Sequence, residues 1–193
     1  AVLRGNRNFA RYLLSRSIVI LGTMAASFYI LFAKSSFGID DAIAGELTMA
    51  ALLGQTISTP LLGWLADRRG HKWLTQVGSL ISVLALAVLL VSPSRLLMYP
   101  IFMLVNSGRS ARIISGNSIV MEFCSADELA TYSALAGTIL ALPVLAAPLL
   151  GGWLVDALGY RPLFGVALFF ALMGWATMHW SVREPRDETV ECE

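Results

Sequence analysis

Two arginines three places apart, Arg109 and Arg112, stand inside an apolar run over residues 96–121. Read as a helix rising 1.5 Å per residue, that run puts both near its middle. If the helix crosses a membrane, that depth is hydrocarbon, where an arginine costs roughly 2.5–3.5 kcal/mol by insertion scales. Side chains that expensive face protein or a wet cavity. At about 100° per residue, Asn106, Arg109, Ser110, Arg112, Gly116 and Asn117 share one broad arc, the pattern expected of a cavity lining that handles a polar solute or a coupling ion. The plainer alternative is that one arginine bonds helix-end carbonyls, or Glu122, and fixes packing. Two fainter stripes point the same way: Arg16, Thr23 and Ser27 in the first apolar run, and Thr48, Gln55 and Thr59 in the second. Hydroxyls and amides inside membrane helices more often serve as interhelical hydrogen-bonders. Glu46, Glu122, Asp127 and Glu128 fall near run ends, so no mid-membrane carboxylate is expected.

Catalytic readings fare worse. Gly108-Arg109-Ser110 with His179 suggests an intramembrane serine protease, but Ser110 is mid-run and His179 closes the last run. Ala111 also replaces the second glycine such a site requires, and a base must first be within reach of its nucleophile. A Gly-x4-Gly-Lys phosphate loop is absent, so this sequence does not point to ATP use. His71 and His179 are too isolated for a metal site. Cys124 and Cys192 both fall on the side expected to be cytoplasmic, where a disulfide is not expected. No enzyme activity, cofactor, metal or nucleic-acid partner is therefore expected.

The elements that must carry these residues follow from composition. Of 193 residues, 56% are hydrophobic and 14% charged, with mean hydropathy +0.69, whereas soluble domains average about 25% charged. Six apolar runs cover 12–33, 42–66, 74–92, 96–121, 129–155 and 161–181. Each approaches or exceeds the roughly 20 residues that span a bilayer as a helix. The alternation of a membrane β-barrel is missing. Short polar joints separate the runs, and a charged tail, 183–193, ends the chain on the cytoplasmic side. The first run opens among Arg4, Arg7, Arg11 and Arg16 and is too long for a cleavable leader. The expected architecture is one all-α, six-helix membrane domain over 1–193.

A repeat organises the six runs. Residues 63–74 read GWLADRRGHKWL, and residues 152–163 read GWLVDALGYRPL. Gly-Trp-Leu opens both, with Asp fifth, Gly eighth, a cation tenth and Leu twelfth. The copies are 89 residues apart, which fits a duplicated three-helix unit. With the N-terminus inside, Arg4, Arg7, Arg11, Arg16, Arg68, Arg69, Lys72, Arg183 and Arg186 fall inside, and only Lys34, Arg95 and Arg161 outside. That bias predicts cytoplasmic termini. Three helices per unit then invert the second unit relative to the first, the architecture of many secondary transporters.

Gly63-x-Leu65-Ala66-Asp67-Arg68-x-Gly70-His71-Lys72 resembles the signature loop of the major facilitator superfamily, with His71 at a usually cationic place. Arg112-Ile113-Ile114-Ser115-Gly116 resembles the family's fourth-helix Arg-x-x-Gln-Gly pattern. Ala147-Pro148-Leu149-Leu150-Gly151-Gly152 resembles its fifth-helix Gly-Pro-x-x-Gly-Gly pattern. Because the family has twelve helices, the resemblance implies one half of a transporter, and the run 8–14, the missing Met and the short charged tail are similar to the C-terminal half, helices seven to twelve. It also implies that first and fourth helices line a central pathway. The signature loop, Gly63, Asp67, Arg68, Gly70 and Lys72, would act as a conformational latch.

The residues themselves suggest why. Gly63 would let a neighbouring backbone approach, Gly70 would take positive φ in a tight turn, and Asp67 would meet a cation or a helix N-terminus. For the outward copy, Gly152, Asp156, Gly159 and Arg161, a packed turn is the simpler reading. In the fifth run, Pro143, Pro148 and Gly151 sit among small residues and suit a bending, gating helix. The function expected is half of a secondary carrier in the cytoplasmic membrane. It would move a small solute by alternating access, coupled to an ion gradient, with lipid and the missing six-helix half as partners. The alternative is a truncated or scaffold subunit that transports nothing.

Overall fold

A computed structural model of the chain describes residues 6–91, 94–123 and 127–182, without the side chain of Asn117. Arg4, Pro93, Cys124, Arg183, Arg186, Cys192 and the tail 183–193 lie outside the described residues. Six long helical elements follow in order: α1 (Arg7–Phe37), α2 (Asp41–Arg69), α3 (His71–Val91), α4 (Met98–Met121), α5 (Leu129–Leu158) and α6 (Tyr160–Ser181). Within α1 a 3-10 section, Thr23–Phe28, separates two α-helical parts. No strand occurs among the described residues.

Capping explains where the helices begin and end better than hydropathy does. α1 starts before its apolar run because Asn6 Oδ1 accepts the Phe9 N–H at 2.9 Å. α2 starts where Asp40 accepts the Ile43 N–H at 3.0 Å. Gly38, left-handed at φ 58°, ends α1, and Lys34 pairs with Asp41 across the joint. The polar joints expected at 67–72 and 156–161 contract to single residues, Gly70 and Gly159; Asp67, Arg68, Lys72, Asp156 and Arg161 are all helical.

Those two glycines share one conformation. Gly70 has φ 87°, ψ 159° and donates its N–H to the Ala66 carbonyl at 2.8 Å. Gly159 has φ 87°, ψ −177° and donates to Val155 at 2.9 Å. That region is essentially closed to residues bearing a Cβ. Gly70→Ala and Gly159→Ala should each cost about 1–3 kcal/mol of stability. Thermal unfolding in detergent checks this, and an unchanged midpoint for both would refute it.

Five of the six helices are long and apolar enough to cross a membrane: α1, α2, α3, α5 and α6. α4 is not among them, which corrects the expectation that all six runs would qualify. The cause is its own polar content, Asn106, Ser107, Arg109, Ser110, Arg112, Ser115, Asn117 and Ser118, within 24 residues.

α4 packs between α2 and α3, α6 packs against α1 and α3, and α5 lies along α1 and touches α6. Small residues set the closest approaches. A Cβ on Gly54 would come within 2.6 Å of the Met103 backbone, and one on Gly22 within 2.9 Å of Ala171 N. Aromatic packing fills both ends of the bundle. Phe9, Tyr12, Phe123 and Tyr132 cluster where α1 begins, and Tyr29, Phe32, Tyr160 and Phe164 where it finishes. The outward faces of α2 (Met49, Leu53, Ile57, Leu61) and α5 (Leu142, Leu145, Leu149, Trp153) are exposed, as suits contact with lipid.

Helix hydroxyls mostly donate back one turn. Ser17 bonds Leu13 O, Thr48 bonds Ala44 O, Ser79 bonds Thr75 O and Thr138 bonds Ala134 O, at 2.8–2.9 Å. Fewer polar contacts cross between helices, among them Thr75 to Ser115 at 2.8 Å and Thr59 to Ser110 at 3.3 Å.

Candidate functional site

Between α1, α4 and α5 lies a cavity of about 850 Å³. It is at the large end of the range of small-molecule sites. Three arginines line it, Arg16 from α1 and Arg109 and Arg112 from α4, and no Asp or Glu does so among the described residues. The remaining wall is largely apolar, including Val19, Ile20, Ile113, Leu140 and Val144.

The three guanidinium groups are held differently. Arg16 donates from Nη2 to the Arg112 carbonyl at 2.8 Å, bridging α1 to α4. Its Nη1 is buried with no hydrogen-bond partner among the described residues. Gly116 makes room for this bridge, because a Cβ there would collide with the Arg16 guanidinium. Arg112 is half-buried and donates from Nη1 to Ser82 Oγ on α3 at 2.6 Å. Arg109 is exposed to the cavity, and its guanidinium makes no hydrogen bond among the described residues. Of the wall hydroxyls, Thr23 already gives its proton to the Ile20 carbonyl at 2.6 Å. The charged donors of the wall are the arginines, and the Ser27 and Ser133 hydroxyls line it as well.

The sequence-selected residues divide cleanly. Arg109, Arg112, Thr23, Ser27, Gly116 and Pro148 line the cavity. Asn106 does not; its Nδ2 donates to Phe102 O at 3.1 Å on its own helix. Gln55 and the α2 stripe are also absent from it, because α2 packs on the other flank of α4, where Thr59 meets buried Ser110. The Asn117 side chain lies outside the described residues. Pro143 is buried in α5, and Gly151 packs on Phe28 and the Met24 carbonyl. Both prolines sit inside one continuous helix.

Arg16, which shares a stripe with Thr23 and Ser27, lines the cavity with them. The wall from α5, with Ser133, Gly137, Leu140, Val144 and Pro148, was not foreseen. Its helical spacing of three and four was the signal available.

At the α2–α3 joint, Arg68 lies over the Trp64 ring at 4.1 Å and Arg69 over Trp73 at 5.0 Å. A Cβ at Gly63 would meet nothing within 4 Å among the described residues. At the second copy, Gly152 has only Phe28 Cζ, at 3.9 Å. His179 stacks on Trp175 at 5.4 Å, and Ser110 meets Thr59 at 3.3 Å.

A bundle of long apolar helices with a cationic cavity sunk among three of them has the anatomy of a membrane transport protein. The sequence profile of the Major Facilitator Superfamily matches residues 12–191, and the chain belongs to that superfamily. It is 26% identical over 159 residues to the Multidrug resistance protein B homolog of Mycobacterium tuberculosis, covering 82% of this chain and 29% of that relative. It is 28% identical over 155 residues to the Cis,cis-muconate transport protein of Acinetobacter baylyi, covering 79% and 37%. Against the MFS-type transporter oryN of Aspergillus oryzae, identity is 30% over 112 residues, covering 57% and 22%. The matched region thus spans well under half the length of each of these relatives.

Proposed function

We propose that the chain is one half of a secondary active transporter, the C-terminal half. It moves a small solute across the cytoplasmic membrane by alternating access and draws on an ion gradient. The observation that carries this reading is the arginine-lined cavity between α1, α4 and α5. The relatives support it, being named for multidrug resistance and for cis,cis-muconate transport. On this reading all six helices span the bilayer, both termini are cytoplasmic, and the coupling carboxylate belongs to the rest of the carrier. Polar α4 is then accommodated because α2 and α3 flank it and the cavity takes its arginines.

Two inverted three-helix units are supported by the packing. Exchanging α1, α2, α3 with α4, α5, α6 turns the α2–α4 contact into α5–α1 and the α3–α4 contact into α6–α1. It returns α3–α6 to itself, and all of these contacts occur. The matching Gly70 and Gly159 conformations agree. The reading is tested by solute flux in cells producing the complete carrier, with and without an ionophore that collapses the gradient. Flux no higher than in cells lacking the carrier, at verified abundance, would leave the scaffold alternative.

The latch belongs to the same proposal. Gly63 and the exposed Asp67, Arg68 and Arg69 present an uncovered face at the end of α2 that the rest of the carrier would cover. Asp67→Asn should lower the transport rate several-fold while abundance and thermal stability stay near wild type, since the lost charge biases a two-state equilibrium rather than the fold. Unchanged kinetics at matched abundance would reduce Asp67 to an anchor.

A further inference from the structure

From the same cavity we infer the substrate class: an organic carboxylate with an apolar body. This rests on the transporter reading and goes beyond it. Three positive side chains share one space that no carboxylate enters among the described residues. Like charges gathered in a low-dielectric site repel one another, and an anion placed among them relieves that repulsion. A cationic solute would add to it.

The arrangement also separates anions from one another. Arg109 offers a planar fork that bonds nothing among the described residues, the shape that binds a carboxylate through two parallel hydrogen bonds. The buried Nη1 of Arg16 is a second unmet donor at the same cavity. A buried donor without a partner is costly, and a ligand oxygen would satisfy it. Thr23 gives its proton to Ile20, and the charged donors of the lining are the arginines, with the Ser27 and Ser133 hydroxyls beside them. Beside them, Val19, Ile20, Leu140 and Val144 make much of the wall apolar. That wall favours a hydrocarbon body and disfavours small, strongly hydrated inorganic anions.

The test measures equilibrium binding and flux for the complete carrier in nanodiscs and vesicles of zwitterionic lipid. The probes are benzoate and adipate, their neutral amides benzamide and adipamide, and the cation benzylammonium. A carboxylate should bind at least tenfold more tightly than its own amide, and benzylammonium should not bind. Arg109→Gln should weaken the carboxylate at least tenfold with thermal stability unchanged, and Arg109→Lys should restore part of the loss. The wild-type comparison of acid with amide stands even if a variant fails to fold.

Equal or better handling of the amides or of benzylammonium overturns the carboxylate assignment while leaving the transporter reading intact. It would mean that carboxylates elsewhere in the carrier neutralise the arginines. Absence of both binding and flux for every probe, in folded protein, overturns both. If anionic lipid added to the nanodiscs displaces the carboxylate competitively, the cavity holds a lipid headgroup and the free-solute assignment falls.

Discussion

Alanine at Arg109 should remove most transport by the complete carrier, roughly 10- to 100-fold, and leave its thermal stability unchanged. The magnitude follows from the 1.5–3 kcal/mol typical of hydrogen bonds to charged groups. The clean separation follows from position, since Arg109 holds nothing else among the described residues and faces the cavity. Arg112→Ala should differ by losing stability as well as transport. It removes the guanidinium that ties α4 to Ser82 of α3. Arg95→Ala, exposed in the turn before α4, should be nearly silent. The measurements are initial transport rates and unfolding midpoints for the three variants. Full activity in both Arg109→Ala and Arg112→Ala would remove the cavity from the mechanism, and a destabilised Arg109→Ala would recast that residue as a packing element.

Gly54→Ala is the second large effect expected, and it acts on assembly. The added Cβ would stand 2.6 Å from both Cα and O of Met103, and backbone cannot swing aside as a side-chain tip can. Ser107 also donates to the Gly54 carbonyl at 3.2 Å, so pushing the helices apart breaks that bond too. Overpacking of this kind costs about 1–3 kcal/mol, occasionally more. Gly63→Ala, on the same helix, meets open space in this chain and should leave the unfolding midpoint unmoved. Any loss of transport in Gly63→Ala with normal stability would then report contact with the rest of the carrier. A Gly54→Ala protein as stable as wild type would show that α2 and α4 are not as close as 2.6 Å implies.

Much of this was legible in the residues, and the gaps have physical causes. Apolar runs announce helices, but ends are decided by single caps. Asn6 and Gly38 set α1, and one glycine closes each of two joints where several polar residues suggested a loop. Arg109 and Arg112 could be found because their cost in hydrocarbon demands a reason. Asn106 and Gln55 could not be assigned by the same logic. Polarity tells that a side chain avoids lipid, whereas which neighbour it faces depends on packing, and Asn106 is satisfied by its own helix. Arg16 needed tertiary structure, since its bond partner is Arg112, 96 residues away. The α5 wall carries small and apolar groups such as Gly137 and Leu140, which bear no chemical tag.

The one-turn hydroxyl bonds bear on how the protein is made. A helix whose Ser17, Thr48 or Thr138 donates within its own turn enters the bilayer with those groups already satisfied. For those hydroxyls it need not wait for a neighbour. α4 settles Ser107, Ser115 and Ser118 in the same way, but it also leans on its neighbours: Arg112 reaches Ser82 of α3, Ser115 accepts from Thr75 of α3, and Ser110 meets Thr59 of α2. Those partners all lie earlier in the chain. The ribosome therefore delivers α2 and α3 before the arginine-bearing segment that docks between them, and order of synthesis becomes order of rescue.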